Sequence, residues 1–183
     1  MRYPISIQTF EKVIEGGFVY VDKTDLVYQL AQENVCFLCR PRRFGKSLLI
    51  STLEAYFLGR KELFEGLKIM DYEHDWEQYP VFRLDFSGGD FTQPNTLAEV
   101  LNKHLSEWER QYGKDESLTD FGLRLQSVIQ AAHKKTGKKA VVLIDEYDKP
   151  LLDVIEDSLE QVNRNILKGF YGTFKAADAD LLQ

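Results

Sequence analysis

The chain has 183 residues, 44% of them apolar and 28% charged, with a net charge of −6. That length buries the core of one domain, or of one domain with a small appendage, and the composition excludes disordered, collagen-like and disulfide-framework classes. The acidic balance gives no global attraction to nucleic acid or anionic membranes and leaves such binding to a local basic patch; no apolar run reaches the length of a membrane span, no secretory core follows Met1, and the expected location is cytoplasmic.

In chain order, residues 7–14 predict a short helix closed by Gly16 and Gly17, and residues 18–21 a short strand. Asp22 or Thr24 caps the next helix, which carries Leu26, Val27 and Leu30 on one side. Residues 35–39, Val-Cys-Phe-Leu-Cys, form a continuous apolar run that predicts a strand at the centre of a parallel sheet. Cys36 and Cys39 are spaced Cys-x-x-Cys, but in a strand they point to opposite faces, and no second Cys or His pair is nearby; buried thiols are expected. A helix opens near Gly45, runs through Leu48, Leu49, Leu53 and Phe57, and ends at Gly59.

Residues 61–79 lack a clear period and predict short helices and loop. A second strand, 81–86, is terminated by Ser87-Gly88-Gly89. Thr96 and Glu99 form a capping box for a helix whose Leu97, Val100, Leu101, Leu105 and Trp108 share a face. Leu118, Phe121, Leu125, Val128, Ile129 and Ala132 mark another helix, after which lysines around Gly137 make the turn into a strand at 140–144. Pro150 suits the first turn of a helix continuing through Leu151, Leu152 and Ile155. Ser158 and Gln161 form a further box before a helix with Leu159, Val162, Ile166, Phe170 and Phe174 on its apolar side. Strands alternating with helices imply right-handed crossovers and a mostly parallel sheet, an α/β fold.

Two segments carry chemistry. Residues 40–47 read Arg-Pro-Arg-Arg-Phe-Gly-Lys-Ser, close to the phosphate-loop pattern GxxxxGK(S/T) except that Arg40 stands where its first glycine should. Gly-Lys-Ser alone is common by chance, but here it follows an apolar strand and opens an amphipathic helix. Residues 141–146 read Val-Val-Leu-Ile-Asp-Glu, a strand ending in two acids, and a carboxylate there is costly without a cation or donors. Together they predict a nucleoside-triphosphate site. Backbone amides of Arg43, Phe44, Gly45, Lys46, Ser47 and Leu48 cradle phosphate, Lys46 bridges the β- and γ-phosphates, and the Ser47 hydroxyl binds Mg²⁺. Asp145 holds Mg²⁺ through water, and Glu146 orients or deprotonates the attacking water. Arg42 and Arg43 either stabilise phosphate charge or are simply solvated. Asp85 either approaches the phosphates or caps a loop. His74, His104 and His133 lack ligand spacing and are read as structural or solvated.

At these residues the chain resembles the AAA-ATPase-like family of bacterial and archaeal P-loop NTPases, a group distinct from the ring-forming AAA+ machines. The likeness rests on Phe18-Val19-Tyr20-Val21-Asp22-Lys23-Thr24, the arginine-rich loop, Tyr79-Pro80-Val81-Phe82-Arg83-Leu84-Asp85-Phe86-Ser87 and Leu143-Ile144-Asp145-Glu146-Tyr147-Asp148-Lys149-Pro150. It implies a P-loop three-layer sandwich, a variant loop in which Arg40 is usual, and an approach of the Asp22-Lys23-Thr24 segment to the nucleotide. It also implies that 1–183 is the N-terminal part of a longer protein: a lead-in over 1–34, a nucleotide-binding core over 35–183, and often a following nuclease-like domain of the PD-(D/E)XK type. The sheet is then incomplete, its missing strand lying between those that bear Cys39 and Asp145. The expected function is Mg²⁺-dependent ATP binding and hydrolysis coupled to an effector domain absent from this chain. The alternative is a nucleotide-binding regulatory module or degenerate ATPase without useful turnover; a P-loop kinase stands third, weakened by Glu146. The expected partners are nucleotide and that effector, without membrane or direct nucleic-acid binding.

Overall fold

Seven α-helices and a two-stranded parallel sheet are found among the described residues of a computed structural model, which are 2–39, 41 and 43–182. Arg40 and Arg42 lie outside them. The chain divides into two compact units, one reaching Val81 and the other Phe82–Leu182.

The first unit contains α1 (Phe10–Glu15), α2 (Thr24–Leu30), α3 (Lys46–Phe57) and two short 3-10 helices, Lys61–Phe64 and Lys68–Asp71. Its core gathers around Phe10, whose ring meets Tyr20 at 5.2 Å and Phe64 at 4.8 Å between centroids. The N-cap of α2 is Lys23, without a side-chain cap, in place of the expected Asp22 or Thr24; Asp22, one residue earlier, accepts from the Thr24 N–H at 2.9 Å through one carboxylate oxygen and from the Lys68 N–H at 2.8 Å through the other. The Thr24 hydroxyl accepts from the Ile69 N–H at 3.0 Å, which ties α2 to the second 3-10 helix.

Two expectations for this unit are corrected, and the buried face of α3 is a further finding. Residues 18–21 form no strand; Phe18 makes an isolated parallel bridge to Arg2. The face that α3 buries is Ser51, Thr52, Ala55, Tyr56 and Phe57, while Leu48, Leu49 and Leu53 are half-buried. The cause is hydrogen bonding: Ser51 Oγ accepts from the Phe10 N–H at 2.8 Å and Thr52 Oγ1 donates to the Leu48 carbonyl at 2.8 Å, and these bonds offset the cost of turning small polar side chains inward. Residues 35–39 form no strand either. Val35 and Phe37 are 75% and 77% exposed, and Cys36 and Cys39 are exposed free thiols rather than buried ones. An apolar run becomes a central strand only where ladders hold both its edges, and among the described residues no strand ladder or bridge includes 35–39.

The second unit holds β1 (Val81–Asp85) beyond its first residue, α4 (Thr96–Tyr112), α5 (Phe121–Thr136), β2 (Val141–Asp145), α6 (Lys149–Leu152) and α7 (Ser158–Ala176). In place of a mostly parallel sheet of several strands, the described sheet has two, because neither 18–21 nor 35–39 joins it. Phe82 and Leu84 of β1 enter a core with Leu101 and Leu105 of α4, Leu125 and Ile129 of α5, and Phe170 of α7. On the other edge of β2, Ala140 bridges Leu181 in parallel: the Ala140 N–H donates to Asp180 and the Ala140 carbonyl accepts from Leu182, each at 2.8 Å. Backbone groups alternate between edges along a strand, and Asp145 uses its carbonyl toward Phe86, so this bridge lies on the edge that β1 leaves open.

The helix starts differ in detail from the capping boxes. Asn95, left-handed at φ 69°, precedes α4 without a side-chain cap, and the Thr96–Glu99 box does not form. Asp157 caps α7 by accepting from the Leu159 N–H at 2.8 Å, one residue ahead of the expected Ser158, since an acidic acceptor is also favoured by the helix dipole. Asp120, not anticipated, caps α5 through the Leu123 N–H at 3.0 Å. The chain leaves α6 before Ile155, which is 61% exposed. At Gly122 an added Cβ would lie 2.6 Å from Thr173 Oγ1 and 3.0 Å from the Gly169 carbonyl, so glycine permits the close approach of α5 and α7.

Candidate functional site

The phosphate loop owes its shape to two left-handed residues flanking one that is not. Arg43 has φ 68° and Gly45 φ 79°, with Phe44 between them outside that region. Glycine takes such a φ freely; an arginine does so at a cost of about 1 kcal/mol or more, which the surrounding turn has to offset. Alternation of this kind turns successive backbone N–H groups toward one concave side, a shape that receives anions. Gly45 is also the N-cap of α3 and supplies no side-chain cap. The helical ladder starts with the Leu49 N–H donating to the Gly45 carbonyl at 2.9 Å, so the amides of Lys46, Ser47 and Leu48 precede the first intrahelical acceptor. The positive end of a twelve-residue helix adds to them. Lys46 and Ser47 are half-buried, and Phe44 is 70% exposed.

The acids stand at the carboxyl ends of β1 and β2. Asp145 is 4% exposed, and its carboxylate accepts from the Glu146 N–H at 3.1 Å. Glu146 is left-handed at φ 53°, a sharp exit from the strand, and its carbonyl accepts from the Lys149 N–H at 3.0 Å as the turn into α6 begins. Asp85 caps its own loop by accepting from the Ser87 N–H at 2.8 Å, the second of the two roles open to it. Beside it, His104 packs on Trp108 at 5.7 Å; burial pulls its pKa below the ordinary histidine value, against a hydrogen bond with the Asp85 backbone. His133 pairs with Asp180 at 2.7 Å, and His74 is exposed.

Lys149 escaped the sequence reading. Its ammonium donates to the Gly89 carbonyl at 2.5 Å and to Asp153 at 2.6 Å, and lies 4.9 Å from the Phe91 ring centre. It thereby ties the loop after β1 to the helix after β2. The four-residue spacing of Lys149 and Asp153 was the available signal. Asp22 and Thr24, given a nucleotide-facing role by resemblance, are engaged in holding α2 to the second 3-10 helix.

The structure therefore brings Asp145 and Glu146 to one strand end with Asp85 on the neighbouring strand, all in the second unit. Arg43, Phe44, Gly45, Lys46, Ser47 and Leu48 stand together at the start of α3 in the first. Among the described residues no cluster of three or more His, Cys, Asp or Glu side chains could hold a metal ion. A Mg²⁺ ion held by one hydroxyl, one carboxylate through water and phosphate oxygens needs no such cluster; taken separately, Ser47 carries a hydroxyl in the first unit and Asp145 a buried carboxylate in the second.

A family described as predicted AAA-ATPase matches residues 4–183. The chain belongs to this AAA-ATPase-like family. The family's description implies nucleotide binding in general. A protein of Azotobacter chroococcum mcd 1, described as an uncharacterized protein in the vnfD 5' region, is 38% identical over 182 residues, which make up 97% of this chain and 35% of that protein. This member of the family thus spans about a third of the length of that relative. No solved structure matches it. None of its described helices is long and apolar enough to cross a membrane.

Proposed function

We propose that this chain carries the phosphate-binding and Mg²⁺-binding elements of an ATPase, and that the intact protein couples ATP hydrolysis to an effector region outside the chain. The observation that supports this best is the alternating turn at Arg43 and Gly45, which leads straight into the uncapped start of α3. Amides of residues 43–48 surround the phosphates, and the Lys46 ammonium neutralises charge between the β- and γ-groups. The Ser47 hydroxyl would be a direct donor to Mg²⁺ and the buried Asp145 carboxylate a donor through water. Bound Mg²⁺ supplies neutralisation of phosphate charge. Glu146, held by its left-handed backbone at the strand exit, orients the attacking water and accepts its proton.

A nucleotide-sensing module without useful turnover is the second reading. It is favoured by the strandless, exposed approach to the loop through residues 36–39. Calorimetric titration of the intact protein with ATP and Mg²⁺ tests the shared part of both. Lys46→Ala is expected to weaken binding about 10- to 100-fold, roughly 1.4 to 2.8 kcal/mol; unchanged affinity would remove Lys46 from the site. Phosphate release by the intact protein then separates an ATPase from a sensor.

A further inference from the structure

We propose that Lys149 is a positioning residue for Glu146: its ammonium pins the exit turn of β2 to the loop after β1 and so fixes the carboxylate that orients the attacking water. The catalytic consequence rests on the ATPase reading above; the clamp itself does not.

Glu146 leaves β2 with a left-handed backbone, a conformation that a glutamate keeps only where its surroundings over-determine it. Its N–H donates to the Asp145 carboxylate at 3.1 Å, and its carbonyl accepts from the Lys149 N–H at 3.0 Å, so the Lys149 backbone closes the turn. The side chain of the same residue then leaves the turn for the neighbouring strand's loop. Its ammonium donates to the Gly89 carbonyl at 2.5 Å and lies 4.9 Å from the centre of the Phe91 ring. Phe91 is 1% exposed, and its ring folds over Gly89, where an added Cβ would come within 2.5 Å of the ring. Glycine at that position therefore lets a ring face and a carbonyl oxygen converge on one cation, and both attract it.

An ordinary surface ion pair does not account for this arrangement. Lys149 and Asp153 stand one helical turn apart and partly exposed; such a pair contributes little and reaches nothing beyond its own helix. The bond to Gly89 crosses instead to the end of β1. α7 holds the same segment independently: the Tyr171 hydroxyl donates to the Tyr147 carbonyl at 3.3 Å, and the Asn163 amide to the Pro150 carbonyl at 2.9 Å. Only the hold on the β1 loop depends on the Lys149 side chain, so its removal loosens the turn without unfolding the unit. Misplacement of a reacting group by about 1 Å lowers a rate by about 10²-fold. Neither Gly89 nor Asp153 is assigned to nucleotide, so the loss falls on turnover rather than on affinity.

The test uses the intact protein and the variants Lys149→Met and Lys149→Arg, alone and combined with Glu146→Gln, followed by phosphate release, calorimetric ATP titration and amide exchange. Methionine keeps an apolar chain beside Phe91 and removes the charge and the donors; arginine keeps all three. Lys149→Met is expected to lower turnover about 10- to 100-fold with ATP affinity within about threefold, and to speed exchange at residues 87–91 by at least about tenfold. Lys149→Arg is expected to stay within about threefold of the parent in turnover. In the Glu146→Gln background, Lys149→Met is expected to cost less than about threefold more, because both changes act through one carboxylate. An equal loss in both backgrounds, a matching loss of affinity, or turnover of Lys149→Met within about threefold of the parent overturns the positioning role. Should Lys149→Met fail to fold, Lys149→Gln, neutral but polar, gives the same comparison. Unchanged exchange at 87–91 overturns the clamp. Intact protein that binds ATP and releases no phosphate refutes the ATPase reading and the catalytic role with it, while exchange at 87–91 still decides the clamp.

Discussion

Glu146→Gln in the intact protein is expected to lower ATP turnover by about 10²- to 10⁴-fold, the range that loss of a positioned base produces, while leaving ATP affinity within about threefold. The substitution keeps the length and shape of the side chain and removes its capacity to take a proton. It also leaves the backbone at φ 53° with the same bonds, the Glu146 N–H to Asp145 and the Glu146 carbonyl from Lys149. A fall in turnover with intact binding separates a base from a residue that merely shapes the strand exit. Steady-state phosphate release and calorimetry on the same preparation measure both quantities. Turnover within about tenfold of the parent would take the proton from Glu146 and assign it elsewhere.

Arg124→Ala is expected to produce the largest loss of stability, about 3–5 kcal/mol. The Arg124 guanidinium donates to both carboxylate oxygens of Glu109, at 2.7 and 2.8 Å, and to Asn102 at 2.8 Å, with the two charged side chains only 9% and 5% exposed. This pair joins α4 to α5. Removing the arginine strands a buried carboxylate without its counter-charge, which costs more than the pair contributes when intact. The double variant Arg124→Met, Glu109→Leu is accordingly expected to recover most of the loss, to within about 2 kcal/mol of the parent. Urea unfolding of the single and double variants measures this. A single-variant loss under about 1 kcal/mol would mean that water or a rotated side chain reaches Glu109 and solvates it.

The helices of the second unit were legible because their apolar residues recur at helical spacing and find their partners within the same unit. Leu97, Leu101 and Leu105 of α4 meet Leu125 and Ile129 of α5 in one core. The strand at 141–145 was legible for a related reason, an apolar run with a described neighbour on each edge. Residues 35–39 have the same character in sequence but no ladder, and a strand's state is decided by its neighbours more than by its own residues. The buried face of α3 was hidden because Ser51 and Thr52 read as surface residues until their hydrogen bonds are known. In the candidate site, Gly45 announced its own left-handed turn through its identity. Arg43 and Glu146 did not, since arginine and glutamate carry no signal for positive φ. Lys149 was missed because its principal partner, the Gly89 carbonyl, is sixty residues away in sequence.

The most direct measurement is amide hydrogen exchange of the intact protein, reduced, with and without saturating ATP and Mg²⁺. If the turn at Arg43 and Gly45 and the start of α3 receive the phosphates, exchange at residues 43–48 slows by at least about tenfold on nucleotide addition. Unchanged exchange across 43–48 at saturating nucleotide, or protection confined to other segments, would contradict a phosphate cradle at this helix start.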